Sequence, residues 1–384
     1  MVEHPGAAWP EWSSPSMSLN LASDNIAPAH PAVIEALARV NAGAAAPYGK
    51  DEPTARVEAL LAEIFECEVG VFLVTTGTAA NALALAQMTP PWGAALAHHE
   101  AHVMHDECGA PEFFTNGAKM VGVVGEDGRI GAEALTGILA KNFWTPPTHV
   151  RPASLTLSQA TEAGTVYRSD HVAELSAIAR AHGMRVHMDG ARFANAVVSS
   201  RATPAALTWK AGVEALSLGF TKNGAMAAEA VVLFAPDLIE GLAERRKRGG
   251  HLWSKGRFIA AQALGLLENG LWLELAARAN AQAARLTIGL SARGLNLAFP
   301  VEANEVFVWL PAEIHQSLQG QGAHYYVWES DCVTGARAGR PGDVMARLIC
   351  SWATPDADVD ALLSAIDGAA PAKRASRSPG TPLF

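Results

Sequence analysis

Short apolar runs and longer amphipathic stretches alternate along most of this chain. Pro31 opens a helix in PAVIEALARVNAG that ends near Gly43. A loop holding Tyr48-Gly49 follows, and PTARVEALLAEIFE repeats the helical spacing with Pro53 in its first turn. The pattern then changes. Val71-Phe72-Leu73-Val74 is a short apolar run that leads through Thr75-Thr76-Gly77-Thr78 into AANALALAQM, a helix rich in Ala and Leu. Similar runs recur at 94–97, 154–157, 185–188, 214–218 and 230–234, most of them separated by helical stretches such as SDHVAELSAIARAHG. Apolar strands alternating with helices predict an α/β fold, a mainly parallel sheet with helices on both faces.

A long helical region over 254–290 bridges from this sheet into a second, smaller α+β domain. There NEVFVWL, YYVWES and RLICSW supply strands, and PDADVDALLSAIDG closes with a helix. The division expected is an N-terminal arm at 1–30, a large domain at 31–270, a small C-terminal domain at 271–370 and a fraying polar tail at 371–384.

Composition narrows the class. At 384 residues, 49% hydrophobic and 17% charged, the chain has room for a large domain plus a smaller one, each with a core. A formal charge of −9 argues against general affinity for nucleic acid or anionic membranes. The basic run Arg245-Arg246-Lys247-Arg248 cuts across that balance, as a solvated helix face or as a local site for phosphate or a neighbouring subunit. Cys67, Cys108, Cys332 and Cys350 are scattered without a CxxC, which fits a reduced, cytoplasmic protein. Residues 1–18 lack the apolar centre of a signal peptide, and no apolar run reaches membrane-spanning length, so a soluble protein is expected.

Candidate chemistry lies in the loops after the predicted strands. In VFLVTTGTAAN, Gly77 and Thr78 stand at a helix start, where unpaired N–H groups and the helix dipole attract an anion; an ordinary Thr cap reads the same way. In RVHMDGARFAN, Asp189 follows a strand at the end where ligands of parallel sheets sit, and a carboxylate there can keep a heterocyclic nitrogen protonated. An Asp-Gly turn is the plain alternative. Arg192, three residues on, offers a forked donor to a carboxylate. Lys222, in SLGFTKNGAMAAEAVV, sits in a small-residue loop between two strands, where a dry pocket favours the neutral amine that Schiff-base chemistry needs; a solvated loop lysine is the rival reading. The order of phosphate loop, aspartate and then lysine favours the chemical one.

Ala97-His98-His99-Glu100-Ala101-His102 follows another strand. One imidazole there can stack on a ring or move protons, whereas His98, His102 and His105 together suggest a metal site, although HExxH is not met. Arg347 lies in the late strand ARLICSWAT, where it needs a partner, either a substrate carboxylate or a structural acid.

From Leu21 to Leu363, this order of motifs resembles the low-specificity L-threonine aldolases of the fold-type I pyridoxal 5'-phosphate (PLP) enzymes. The resemblance rests on LASDN, PYGKDEPT, TTGTAAN, HEAH, HMDGARFANA, FTKNGA and RLICSWAT. It implies that Lys222 forms the Schiff base, Asp189 pairs with the pyridine nitrogen, His102 stacks on the ring, and Gly77 and Thr78 contact the phosphate. Ser23, Arg192 and Arg347 match groups that hold the amino-acid carboxylate, with Arg192 also bordering the cofactor. Tyr48 matches a residue supplied by a neighbouring subunit, which implies a homotetramer built from dimers. Lys255 and Arg257 match further phosphate contacts. The implied reaction is retro-aldol cleavage of a β-hydroxy-α-amino acid, with His102 or a water it positions as base; β-elimination, racemisation and transamination share the cofactor site. The sequence departs from the family pattern in two places. SQATEAGTVY replaces a Glu-Asn-Thr-His segment whose histidine handles the substrate hydroxyl, and Asn223-Gly224 replaces Gly-Leu after the lysine. Both bear on side-chain and stereochemical preference at the β-carbon.

Overall fold

The computed structural model describes residues 19–333 and 335–369, so the expected tail at 371–384 and most of the arm lie outside the described residues. No helix among the described residues is long and apolar enough to cross a membrane. The large sheet has seven strands: β1 (Gly70–Val74), β2 (Gly93–His98), β3 (Lys119–Val123), β4 (Arg151–Ser158), β5 (Arg185–Gly190), β6 (Ala215–Gly219) and β7 (Glu229–Leu233). Their order is β1-β7-β6-β5-β4-β2-β3. From β3 to β6 every pairing is parallel, whereas β7 runs antiparallel to both its neighbours.

The central strands are apolar on both faces because helices cover both. Every residue of β2, β6 and β7 is buried. The helix Gly77–Met88 is buried almost all round, as its unbroken Ala/Leu composition requires. One strand escaped the sequence pattern. KMVGV forms β3 at the sheet edge, where exposed Lys119 and a glycine blur the apolar run.

The helical region expected over 254–290 is two helices, Arg257–Leu267 and Leu271–Ala292. They break at Glu268–Gly270, where Asn269 (φ 61°) and Gly270 (φ 73°) take the left-handed conformation. The second helix serves two cores. Trp272, Leu275 and Ala276 pack under the large sheet, while Ala283, Leu286 and Leu290 pack under the small one. That small sheet is antiparallel, in the order β8 (Glu305–Leu310), β10 (Val344–Ile349), β9 (Tyr326–Val327). The segment before Pro31 is tied to it. Leu21 packs in the same core, accepts from Ile349 N–H (2.8 Å) and donates to the His324 carbonyl (2.9 Å). Residues 23–25 are thereby held over the carboxyl ends of the large-sheet strands.

Candidate active site

A cavity of about 580 Å³ opens at those carboxyl ends. Ser158, Asp189 and Lys222 come to it from the ends of β4 and β5 and the turn after β6, and Gly77 and Thr78 from a helix start. Ser23 reaches it from the N-terminal segment, Glu305 and Arg347 from β8 and β10, and His102 and Arg192 also line it. Eight of the nine residues singled out from the sequence for catalysis, cofactor or substrate therefore converge on one pocket, since Tyr48 alone does not line it. Tyr48 lies outside, 46% exposed, with Lys247 of the basic run 4.9 Å from its ring centre. Lys255 and Arg257 are likewise not among the lining residues; the Arg257 guanidinium lies 5.0 Å from the Phe258 ring.

Lys222 is placed by the backbone around it. Thr221–Asn223 forms one 3-10 turn between β6 and β7. Asn223 Nδ2 donates to the Trp272 carbonyl (2.7 Å), which pins the turn to the two-core helix. Gly219 permits the close approach of the Asp189 loop, because a Cβ there would sit 2.5 Å from the Ala191 carbonyl oxygen. Burial lowers the Lys222 pKa, and the nearby Arg192 lowers it further. The amine is therefore biased toward its neutral, nucleophilic form.

Asp189 is the next-to-last residue of β5 rather than the first residue beyond it. Its Oδ2 accepts from Asn81 Nδ2 (2.8 Å) and its Oδ1 from Ala191 N–H (3.1 Å). Asn81 Nδ2 also donates to Glu107 Oε1 (2.8 Å), so one amide spans two buried carboxylates. Glu107 Oε1 in turn meets His102 Nδ1 at 2.9 Å. This hydrogen bond is the main reason the His102 pKa rises, against the opposing effect of burial. At the helix start, Thr76 Oγ1 caps Ala79 N–H (3.1 Å). The N–H groups of Gly77 and Thr78, in the first turn, have no partner within the helix.

The two arginines line the same cavity with different partners. Arg192 is paired mainly with acids of the protein. Nε and Nη2 meet Asp24 at 2.7 and 3.1 Å, and Nη1 lies 3.2 Å from Glu305. Burial opposes this charge, but Asp24 and then Glu305 outweigh it and raise the Arg192 pKa. Arg347 gives Nη2 to Glu305 (3.1 Å) and keeps a buried Nε without a partner among the described residues. Arg347 thus has one hydrogen bond to the protein against two for Arg192.

The three histidines considered as a metal set diverge. His102 turns to Glu107, and His105 Nε2 to the His99 carbonyl (2.7 Å). His98 lies near His99 and Cys332, beside a separate groove of about 660 Å³. Its Nδ1 accepts from Glu100 N–H (3.2 Å), so the ring proton sits on Nε2, 3.2 Å from the Gly125 carbonyl, and closes that nitrogen to a metal.

Sequence reasoning passed over Asp24, Asn81, Glu107, Glu162, Glu229 and Glu305. Asn81 stands four residues after Gly77, one helical turn on, and that spacing was a usable signal. Glu162 follows β4 at the strand end where ligands collect, which was another. A lowered lysine, a carboxylate fixed at a strand end and a free helix start facing one cavity fit a phosphorylated pyridine aldehyde.

Comparison with known proteins agrees. The beta-eliminating lyase family matches residues 20–313. The chain is 39% identical over 351 residues to a low-specificity L-threonine aldolase of a Pseudomonas species, covering 91% of this chain and 97% of that one. It is 40% identical to its Pseudomonas aeruginosa counterpart, covering 87% and 92%. The solved threonine aldolase of Leishmania major superposes with a TM-score of 0.83 at 28% identity, over 91% of this chain and 98% of that one.

Proposed function

The chain belongs to the beta-eliminating lyase family, with low-specificity L-threonine aldolases as its relatives, and from that premise we propose a PLP-dependent aldehyde-lyase. Its reaction is retro-aldol cleavage of a β-hydroxy-α-amino acid of the L-threonine, L-allo-threonine or phenylserine type to glycine and an aldehyde. The observation that carries this reading is the meeting of Lys222, Asp189 and the Gly77 helix start in one cavity, in a chain so close to those aldolases.

The cofactor, when bound, supplies an electrophilic carbonyl for the substrate amine and a ring that accepts the electrons of a bond broken at Cα. The chain's own residues do the rest. Lys222 would hold the cofactor through its amine, whose pKa burial lowers. Asp189, fixed by Asn81 and Ala191, holds a proton on the ring nitrogen. Gly77 and Thr78 would take the phosphate, and His102, oriented by its hydrogen bond to Glu107, would face the ring. Arg347 receives the substrate carboxylate with Ser23 nearby, while Arg192 fixes Asp24 and Glu305 around it. Holding the carboxylate sets which bond at Cα stands across the ring.

The assembly is a homotetramer, a dimer of dimers in which Tyr48 completes a neighbour's pocket. Its exposure, with that of Ile26, Met226 and Trp253, supports a covered face. The four free cysteines support a reducing, cytoplasmic setting.

The test is product analysis with L-threonine and PLP-loaded protein. Acetaldehyde and glycine in equal amounts are expected. A 2-oxo acid with ammonia would move the assignment to β-elimination, D-threonine to racemisation, and an amino group left on the cofactor to transamination.

A further inference from the structure

The segment SQATEAGTVY contains no histidine, and it places a carboxylate in the pocket. Glu162 follows the carboxyl end of β4. Its Oε1 accepts from His102 N–H (2.8 Å) and from Ser158 Oγ (2.8 Å), which fixes the head group at two points. Its Oε2 is buried and has no hydrogen-bond partner among the described residues. The other inward carboxylates of the pocket are hydrogen-bonded or sit against arginine. Asp189 is bonded at both oxygens, and Glu229 Oε2 accepts from Phe220 N–H (3.0 Å). Glu305 accepts from Arg347 at Oε1, while its Oε2, also without a hydrogen bond among the described residues, lies 3.2 Å from the Arg192 guanidinium. His102 Nδ1 is already engaged with Glu107 Oε1 (2.9 Å), a contact that raises the His102 pKa.

We propose that Glu162 is the catalytic base that takes the β-hydroxyl proton, with Oε2 as the accepting atom. This rests on the retro-aldol reading above. The O–H bond breaks and its proton goes to Oε2. The electron pair left on oxygen becomes the second C–O bond of the aldehyde, and the Cα–Cβ pair stays with the glycine half. A proton returned to Cα completes glycine. The net change is one proton moved from oxygen to carbon, with no oxidant and no co-reactant.

The electrostatic setting agrees with the geometry. Burial, and after it the Asp189 charge, raise the Glu162 pKa against the lowering effect of the His102 and Ser158 hydrogen bonds, to about 7 in balance. Arg192 and Tyr167 are the other titratable groups coupled to it. A base poised near neutrality takes and returns a proton at similar cost.

The experiment compares wild-type holoenzyme with Glu162→Gln and Glu162→Ala. With L-threonine, Glu162→Gln should lose roughly 100- to 10,000-fold in kcat while binding PLP with the wild-type absorption spectrum. The acid limb of the wild-type kcat profile, falling below pH of about 7, should vanish from what remains. Formate, a small replacement base, should restore part of the activity of Glu162→Ala and none of Glu162→Gln, whose amide still fills the site. An independent readout is carboxyl-carbon NMR of holoenzyme labelled at glutamate carboxyls. One resonance titrating near neutrality should be present in wild type and absent from Glu162→Gln. Wild-type activity and pH limb retained in Glu162→Gln would overturn the proposal and leave the aldolase reading intact. No glycine or aldehyde from the wild type would overturn both. If Glu162→Gln fails to bind PLP, formate rescue of Glu162→Ala decides: rescue upholds the base, and its absence makes Glu162 structural.

Discussion

The two pocket arginines should fail in different ways when truncated. In Arg347→Met the protein loses one ion pair, Nη2 to Glu305 at 3.1 Å, but Glu305 keeps Arg192 at 3.2 Å and no buried charge is orphaned. Unfolding stability should therefore change by only about 1 kcal/mol. The substrate carboxylate, however, loses its charged partner, and a broken pair of that kind costs about 2–5 kcal/mol. That converts to roughly a 30- to 5,000-fold drop in kcat/KM, carried mainly by KM because the contact exists before and during the reaction. Arg192→Met should show the reverse. Asp24 is 2% exposed and loses both its arginine contacts, at 2.7 and 3.1 Å, keeping Asn304 Nδ2 at 3.1 Å. Breaking a buried pair on one side costs about 3–5 kcal/mol of stability. Initial rates against L-threonine concentration, with urea unfolding of each variant, separate the cases. Arg347→Met with an unchanged KM, or Arg192→Met as stable as wild type, would refute the division of labour drawn from the hydrogen bonds.

Two further outcomes follow from the same pocket. Lys222→Ala should abolish turnover and let PLP wash out on gel filtration; a variant with normal activity would remove Lys222 from its role. Glu229→Gln tests the charge balance by stability. Burial raises the Glu229 pKa from 4.5 to about 7, so the folded chain holds a proton there that the unfolded chain gives up sooner. Its effect on stability is therefore lost as pH rises between about 5 and 7, up to about 3 kcal/mol. Glu229→Gln should match wild type near pH of about 4 and gain on it by pH of about 8 in denaturant unfolding, and a constant difference across that range would count against the shift.

The alternation of apolar runs and helices made the parallel sheet legible, because strands buried on both faces carry little but apolar residues. β3 was not legible, since an edge strand with Lys119 and Gly122 buries too little to leave that signature. The helix break at 268–270 was also hidden, because Asn269 and Gly270 interrupt the run without ending the apolar spacing on either side. At the site, residues announced by short motifs were readable: Gly77 and Thr78, Asp189, Lys222. What those residues bond to was not. Asn81 reaches Asp189 across 108 positions and Asp24 reaches Arg192 across 168, and no local pattern records such pairings. Arg192 is a case in point, since its sequence neighbourhood shows the guanidinium and not the two acids beside it.

One physical cause ties the pocket together. Exclusion of water disfavours every charge, so it moves bases and acids in opposite directions: Lys222 goes down while Glu162 and Glu229 both rise to about 7. Arg192 and His102 are shifted upward against burial because each faces a carboxylate at hydrogen-bond distance, Asp24 and Glu107. The site thus sorts its ionisable groups into two sets. In one set a facing carboxylate raises the pKa of a base and holds its geometry, and in the other burial dominates and pushes each group toward its neutral form. Glu162 belongs to the second set, with burial outweighing its two hydrogen bonds and no partner on Oε2 among the described residues.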